Sequence, residues 1–515
     1  MTKKTLNSNF YLVLIIILAA ILRICWLGEA PNTFSTDEAS DGYDAYSILL
    51  TNRDRYGEYF PIILRAFNDA RESLYVFLLV PLIKFFGLNE FITRLPAAVS
   101  GVLIVPVVYF LAKELFTKQK IALFAAFLTA INPWGIYYSR LAFRANLLPL
   151  FFCLGLLFFL RSWRKPNNLI FSSLFFGLSL HTYSAARAFV PLFLLGLVAI
   201  CYRQLIKHPV ITAIAVAIFF AIFFFLLQFW ISPKGMGRLE ETGFESNIFL
   251  LPLYYLSYLE PVFLFFYGDF NVRRSVTTFG IGELYFWESL TVFAGVITLW
   301  KEKTIVSKIL FLWLFLYPIP AALIEPQHAI RSIVGMPLFA LISSYGLWLL
   351  YERWSNNHQY IKKKILLFAI ALGFCYHLYA YYNYSQNKIS NTGIGHWQYG
   401  IGEALTYAEK TNNQCVVVSN QFKRVNMYIL FYTKYPPAEY QKSPHDPETK
   451  YFTEPTFLGK YTIADIQKYT PAQSNCLYII KPDELLVLRQ KYSQIKKIKE
   501  IKTPQDIIQI LLASF

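Results

Sequence analysis

Nucleotide chemistry has no foothold in this sequence. It contains no Gly-x-x-x-x-Gly-Lys-Ser/Thr loop and no Gly-x-Gly-x-x-Gly run after a strand. Their absence argues against an ATP-driven pump and against a cytosolic sugar-nucleotide enzyme. Cysteine is scarce, at 6 residues, and no Cys/His spacing suits zinc. Cys25, Cys153, Cys201 and Cys375 lie in apolar runs and read as small apolar side chains. Cys415 and Cys476 each open an expected strand in the tail, and a tail outside the cytoplasm would let them form a disulfide. Acids are also in deficit, with 32 Asp and Glu against 48 Lys and Arg, a net charge of +16. No repeat or low-complexity tract is present, and no small-residue cleavage pattern follows the first apolar run, which is expected to stay as an anchor.

Apolar residues dominate instead, at 56% of the chain. About eleven runs are long enough to cross about 30 Å of hydrocarbon: 8–28, 91–112, 121–138, 146–161, 168–184, 187–203, 209–230, 284–300, 305–324, 332–351 and 364–384. The run at 73–87 is shorter and lies between Arg71 and Lys84. It reads as an interfacial or re-entrant helix, and counting it as a span would invert everything after it. The loop cations decide the orientation. With Lys3 and Lys4 in the cytoplasm, Lys113, Lys118, Lys120, Arg161, Arg164, Lys165, Arg203, Lys207, Lys301, Lys303, Lys308, Arg353 and Lys362 to Lys364 also fall inside. The acids then fall mainly outside, interleaved with arginine, a pattern suited to binding anions. Basic charge spread over short inner loops and a lysine-rich tail suits anionic lipid headgroups and gives no sign of a nucleic-acid partner.

This predicts an all-α polytopic protein of the cytoplasmic membrane with a small C-terminal α/β domain. Residues 1–384 form the membrane part, with long outer loops at 29–90 and 231–283, and residues 393–515 form the extracytoplasmic domain. Val416-Val-Val-Ser and Leu477-Tyr-Ile-Ile read as buried strands, and residues 400–410 and 482–490 as helices.

The densest chemistry is Phe34-Ser-Thr-Asp-Glu-Ala-Ser-Asp-Gly-Tyr-Asp-Ala-Tyr46, with the carboxylates Asp37, Glu38, Asp41 and Asp44 beside Tyr43 and Tyr46. Charge at a membrane boundary is costly unless solvated, paired or used. A base at the membrane surface is one reading of Asp37-Glu38. The other is a solvated cap, with Ser35, Thr36 or Asp37 capping a helix that starts near Glu38. Arg71 suits a phosphate, or a surface pair with Asp69. Arg140 and Arg144 are spaced i,i+4, so a helix would show both on one face, joined by an anion or snorkelling to the interface. Arg187 and Arg331 are expensive beside lipid and are expected to face a polar cavity. Near them, His181 and His328 read as parts of packed polar clusters more readily than as metal ligands. Gly268-Asp-Phe-Asn-Val-Arg-Arg-Ser275 adds Asp269, Arg273 and Arg274 in a run that is hydrophilic in any case.

Together these segments resemble the polytopic glycosyltransferases that use lipid-phosphate sugars. The nearest group is family 39, of the GT-C type: the protein O-mannosyltransferase and aminoarabinose-transferase relatives in their bacterial branch. The likeness is carried by residues 37–49, Arg53-Asp-Arg-Tyr-Gly-Glu58, Gly87-Leu-Asn-Glu-Phe-Ile-Thr-Arg-Leu-Pro96, Asn132-Pro-Trp134 with Ser139-Arg140, Tyr183-Ser-Ala-Ala-Arg187, His328-Ala-Ile-Arg331 and Trp397-Gln-Tyr-Gly400. It implies that Asp37 is the general base, that Glu38 shapes the site, and that the donor is a polyprenyl-phosphate sugar. The family usually continues with an acid and Lys-Pro-Pro-Leu-Tyr. Here the segment reads Asp69-Ala-Arg-Glu-Ser-Leu-Tyr75, without the prolines.

A one-step displacement that inverts the anomeric centre fits these residues. Asp37 would take the proton from an acceptor hydroxyl, and Arg71, Arg187 and Arg331, backed by Arg140 and Arg144, would neutralise the leaving phosphate. Tyr43, Asp69, Asp269 and His328 are further site candidates. No spacing demands a metal, although acids are plentiful enough for a divalent ion. A flippase of lipid-linked sugars and a non-catalytic scaffold are the rivals, but neither paired inverted halves nor mid-bilayer charge favours transport.

Overall fold

The computed structural model describes residues 3–31, 33–66, 69–230, 247–271, 274, 281–356, 360–383, 398–411, 413–443, 455–469, 476–503 and 506–514. In chain order it begins with helix α1 (Lys3–Ile24), α2 (Thr36–Thr51), strands β1 (Ile63–Ala66) and β2 (Asp69–Glu72), then α3 (Leu74–Phe86) and α4 (Glu90–Phe116). Helices α5 (Gln119–Ile131), α6 (Pro133–Ser139), α7 (Leu147–Arg161), α8 (Asn168–Leu180), α9 (Ala186–Leu205) and α10 (Pro209–Trp230) follow. The chain divides into two compact units. One comprises Met1–Cys25, Ala70–Glu72 and Ala97–Tyr381, and the other Trp26–Asp69, Ser73–Pro96 and Tyr382–Phe515.

The first unit is helical. All the runs expected to span are occupied by helix, the later ones by Glu288–Glu302, Ile305–Leu316, Gly335–Asn356 and Tyr360–Asn383. Among the described residues 6 helices are long and apolar enough to cross a bilayer, and α5 with α6, bent by 50°, makes 7. These numbers fall below the sequence count because several helices are short. The 13 residues of α8 rise about 20 Å, less than the hydrocarbon thickness of about 30 Å. The same arithmetic makes α3, also of 13 residues, too short to cross.

The bend between α5 and α6 has a local cause. Pro133 disfavours helix at the residue before it, and Asn132 is extended, with ψ 126°. The Asn132 side chain then caps α6 by accepting the Gly135 N–H at 2.8 Å. The carbonyls left at the end of α5 are taken by Arg23, which donates to Ala130 O at 2.6 Å and Thr129 O at 3.0 Å. Helices Glu288–Glu302 and Gly335–Asn356 meet where side chains are absent. A Cβ on Gly346 would lie 1.9 Å from the Thr291 carbonyl oxygen, and one on Gly295 would lie 2.4 Å from that of Ile342.

The second unit joins α2 and α3 to the C-terminal residues. A six-stranded sheet has the order β4-β5-β3-β6-β8-β7, with β3 (Val416–Ser419), β4 (Phe457–Leu458), β5 (Tyr461–Ala464), β6 (Leu477–Ile480), β7 (Lys496–Lys502) and β8 (Ile508–Ser514). Strand β3 runs parallel to β5 and β6, and the remaining pairs are antiparallel. The two expected strands, β3 and β6, are buried throughout and form the centre of the sheet. The expected helices are Ile401–Lys410 and Glu484–Lys491. Cys415 and Cys476, one at the start of each central strand, are disulfide-bonded.

The lysine-rich end forms an edge strand of this sheet. In β7, Lys497 and Lys502 pair with Glu500, and Lys499 pairs with Glu403. Lysine on an edge strand protects it from pairing with other chains. Helix α2 packs on the helix Val425–Tyr432. Tyr43 donates to Tyr435 O at 2.9 Å, and Gln441 Nε2 reaches Thr51 Oγ1 at 3.0 Å and Asp54 O at 2.9 Å.

The Gly346 contact is testable. Gly346→Ala should destabilise the protein by about 1–3 kcal/mol, as overpacked sites do. The measurement is a lower midpoint of thermal unfolding in detergent, and an unchanged midpoint would mean that the two helices part at no cost.

Candidate active site

The first turn of α2 is a capping box. Ser35 accepts the Glu38 N–H at 3.2 Å, and Glu38 Oε2 accepts the Ser35 N–H at 2.8 Å. The helix therefore starts at Thr36, two residues earlier than the sequence suggested. Asp37 stands beside the box and is half-buried, whereas Glu38 is fully buried. Two acids in the first turn suit the positive end of the helix dipole.

Glu38 is held on its other oxygen by Arg94, whose Nε lies 2.8 Å from Oε1, with both side chains 0% exposed. Arg94 also donates to Leu27 O at 3.1 Å, Pro31 O at 3.0 Å and Thr33 O. One guanidinium thus gathers the chain that leads into α2 and fixes the residue after Asp37. Arg94 lies in the segment Gly87-Leu-Asn-Glu-Phe-Ile-Thr-Arg-Leu-Pro96, where nothing in the sequence assigns it a role. Its one visible signal was a cation on a juxtamembrane helix, the usual mark of an interfacial anchor. Tyr428 completes the surroundings. It donates to Phe34 O at 2.8 Å, and burial, with the charges of Glu38, Asp37 and Glu90, drives its phenol well above the ordinary range.

Further along α2 the acids have structural partners. Asp44 accepts the Arg55 guanidinium at 3.0 Å and its backbone N–H at 3.3 Å, and Arg55 also binds Ser40. Tyr43 is fully buried on the Tyr435 carbonyl.

In the helical unit, Arg71 lies on β2 and is buried. The side chain of Asp69 is outside the described residues, so the Asp69–Arg71 pairing is outside them too. The next residue, Glu72, accepts both Nε and Nη2 of Arg187, at 3.2 and 2.8 Å. Arg140 and Arg144 do not share a helical face. Arg140 ends α6, and Arg144 opens a separate 3₁₀ turn. The Arg140 fork donates to Leu22 O and Cys25 O, each at 2.9 Å, and so satisfies carbonyls at the end of α1. That geometry gives Arg140 a structural task at the end of α1.

A second cluster of the helical unit surrounds Glu325, a residue that no motif in the sequence singles out. Glu325 accepts Arg274 at 3.2 Å and lies 3.4 Å from His328 Nε2 and 3.5 Å from Arg331 Nη1. Arg274 Nε reaches Asp269 at 2.9 Å. Asp269 accepts the Ala329 N–H at 3.0 Å, and its own N–H goes to Glu283 at 3.1 Å. Burial pushes the Asp269 carboxyl up to about 6 against the pull of Arg274. Asp269, His328 and Arg331 are thereby brought together, as a balanced ion network in which Glu325 is the most exposed member. Arg273 and Trp397 lie outside the described residues. Among the described residues no group of three or more His, Cys, Asp or Glu could hold a metal ion.

Residues 74–228 match the family model described as dolichyl-phosphate-mannose-protein mannosyltransferase. No curated protein matches the chain. Among solved structures, the apo form of ArnT from Cupriavidus metallidurans matches with a TM-score of 0.64 at 13% identity, covering 98% of both chains. The same protein bound to undecaprenyl phosphate matches with a TM-score of 0.60, 13% identity and 98% coverage of each chain. The apo oligosaccharyltransferase of Archaeoglobus fulgidus has a TM-score of 0.52 at 16% identity, over 86% of this chain and 61% of that one. Over nearly its whole length the chain has the GT-C fold of ArnT, and its segment from residue 74 to 228 resembles the protein mannosyltransferases.

Proposed function

We propose that the chain is an inverting glycosyltransferase that moves a sugar from a polyprenyl-phosphate donor to a hydroxyl acceptor outside the cytoplasm. The observation that carries this reading is the setting of Asp37. It is a half-buried carboxylate on a helical turn that Ser35, Glu38 and Arg94 hold rigid. Catalytic groups work when neighbouring side chains lock their position. The match to the mannosyltransferase model and the GT-C fold support the donor class, as does the undecaprenyl phosphate in one of the similar structures.

In this reading Asp37 takes the proton of the acceptor hydroxyl as its oxygen attacks the anomeric carbon. The bond from that carbon to the phosphate oxygen breaks, and its electron pair leaves with the phosphate. Arg187 and Arg331 neutralise the charge that develops there. Both are already oriented by carboxylates, Arg187 by Glu72 and Arg331 by Glu325. A phosphate would compete with Glu325, the more exposed of the two acids. The acceptor side lies outside the cytoplasm, an orientation supported by the Cys415–Cys476 disulfide, since disulfides persist in oxidising compartments.

Asp37→Asn should abolish transfer from radiolabelled polyprenyl-phosphate sugars in detergent while donor binding persists. Turnover at the wild-type rate would remove Asp37 as the base, and transfer by the wild type in detergent would rule out a pure flippase, which needs a sealed compartment. Arg187→Ala and Arg331→Ala should each weaken donor binding about tenfold, the loss expected for one charge-assisted contact to phosphate. Donor affinity unchanged in both would reassign the phosphate grip.

A further inference from the structure

Where α7 turns into α8 and α9 into α10, the helical unit holds a cavity of about 100 Å³. Its lining includes Ser162, Trp163, Gln204, Lys207, His208 and Thr212. The second turn is built on one carbonyl. Leu205 O accepts the His208 N–H at 3.2 Å and the Thr212 hydroxyl at 2.8 Å, which fixes the short link that carries Lys207 and His208. The Ser162 hydroxyl is spent in the same way, on Phe159 O at 2.6 Å.

The unspent groups of the wall are mainly donors. Among the described residues the side chains of Trp163, Gln204, Lys207 and His208 make no hydrogen bond or ion pair. An ammonium and an indole only donate, and an amide and an imidazole each offer at least one N–H. No carboxylate is among the lining residues, and Glu114, an acid of the neighbouring inner loop, is already shared by Arg161 and Arg164. The start of α10, a helix of 22 residues, adds the positive end of its dipole. Donors around an uncompensated ammonium call for an anion with several acceptor oxygens. The volume is well below the 300 Å³ or so at which sites for whole small molecules begin, so the cavity suits one group of a larger ligand. Its setting supplies the rest of that ligand. Ile206 and Val210 beside it are 68% and 70% exposed, and α10 buries only 11% of its apolar span within the protein. Trp163, also exposed, is of the residue type that settles at headgroup level. A charged group in the cavity can therefore leave an apolar tail along α10.

We propose that this cavity binds the phosphate of an anionic membrane lipid. Lys207 supplies the charge, Trp163, Gln204 and His208 supply further donors, and the exposed side of α10 is the bed for the acyl chains. Free phosphate presents the same oxygens without the chains, and the apolar surface beside the cavity favours the lipid. The site stands apart from the transferase reading: it involves none of the residues assigned to the donor or to proton transfer. A lipid held there would tie the α7–α8 turn to the α9–α10 turn.

The test uses the purified full-length protein in detergent and native mass spectrometry, which counts bound lipids during titration with phosphatidylglycerol or with zwitterionic phosphatidylcholine. Inorganic phosphate is the competing probe. Phosphatidylglycerol should be retained in preference to phosphatidylcholine. Its affinity should fall about tenfold in Lys207→Gln, the loss expected for one charge-assisted contact, and further when His208→Gln is added. Lys301→Gln removes an exposed cation that is not part of this lining, and it should bind as the wild type does. Elution of the variants as the wild type on gel filtration guards against misfolding. The proposal is overturned if the two lipids are retained alike, or if Lys207→Gln and Lys301→Gln have equal effects, which would reduce the cavity to one more basic loop. Displacement of the lipid by inorganic phosphate as efficiently as by added phosphatidylglycerol would also overturn it, since the cavity would then take the free ion.

Discussion

The setting of Asp37 depends on the guanidinium of Arg94. It is buried together with Glu38, and its other nitrogens close on three backbone carbonyls of residues 27–33. Breaking a buried ion pair by removing one partner typically costs about 3–5 kcal/mol, because the remaining charge is stranded. Here the loss would also release the carbonyls and the capping box. A half-buried carboxylate placed on so constrained a turn has little freedom to wander.

Much of this architecture was legible in the amino-acid sequence, for physical reasons. Apolar runs of membrane length can satisfy their backbone only as helix or closed barrel, so their positions were readable even where helix length was not. The continuous runs Val416-Val-Val-Ser and Leu477-Tyr-Ile-Ile announced buried strands, and the cysteines that open them proved to be bonded. Spacing could not supply the partners of charged side chains. Arg94 and Glu38 are 56 residues apart, and Arg187 and Glu72 are 115 apart.

The segment from Asp69 to Tyr75 shows how a departure from family pattern can be absorbed. Where the family pattern has prolines, this chain has Glu72 and Ser73. Glu72 is buried and takes two nitrogens of Arg187, while Ser73 donates to the Ile62 carbonyl at 2.6 Å. Side-chain bonds hold both positions. Such bonds hold only while both partners are present, so positions 72 and 187 are expected to tolerate change together better than singly.

Arg23 carries a last implication, for biogenesis. It sits in the final turn of α1 and, besides a 3.4 Å contact to Ala19 O in its own helix, donates to carbonyls of residues 106 and 107 positions later. When α1 leaves the ribosome the two later partners do not yet exist. A lone arginine at a helix end can reach for headgroups, an escape closed once the side chain is enclosed by protein. Helix α1 therefore gains its lock on α5 only after more than a hundred further residues have been translated.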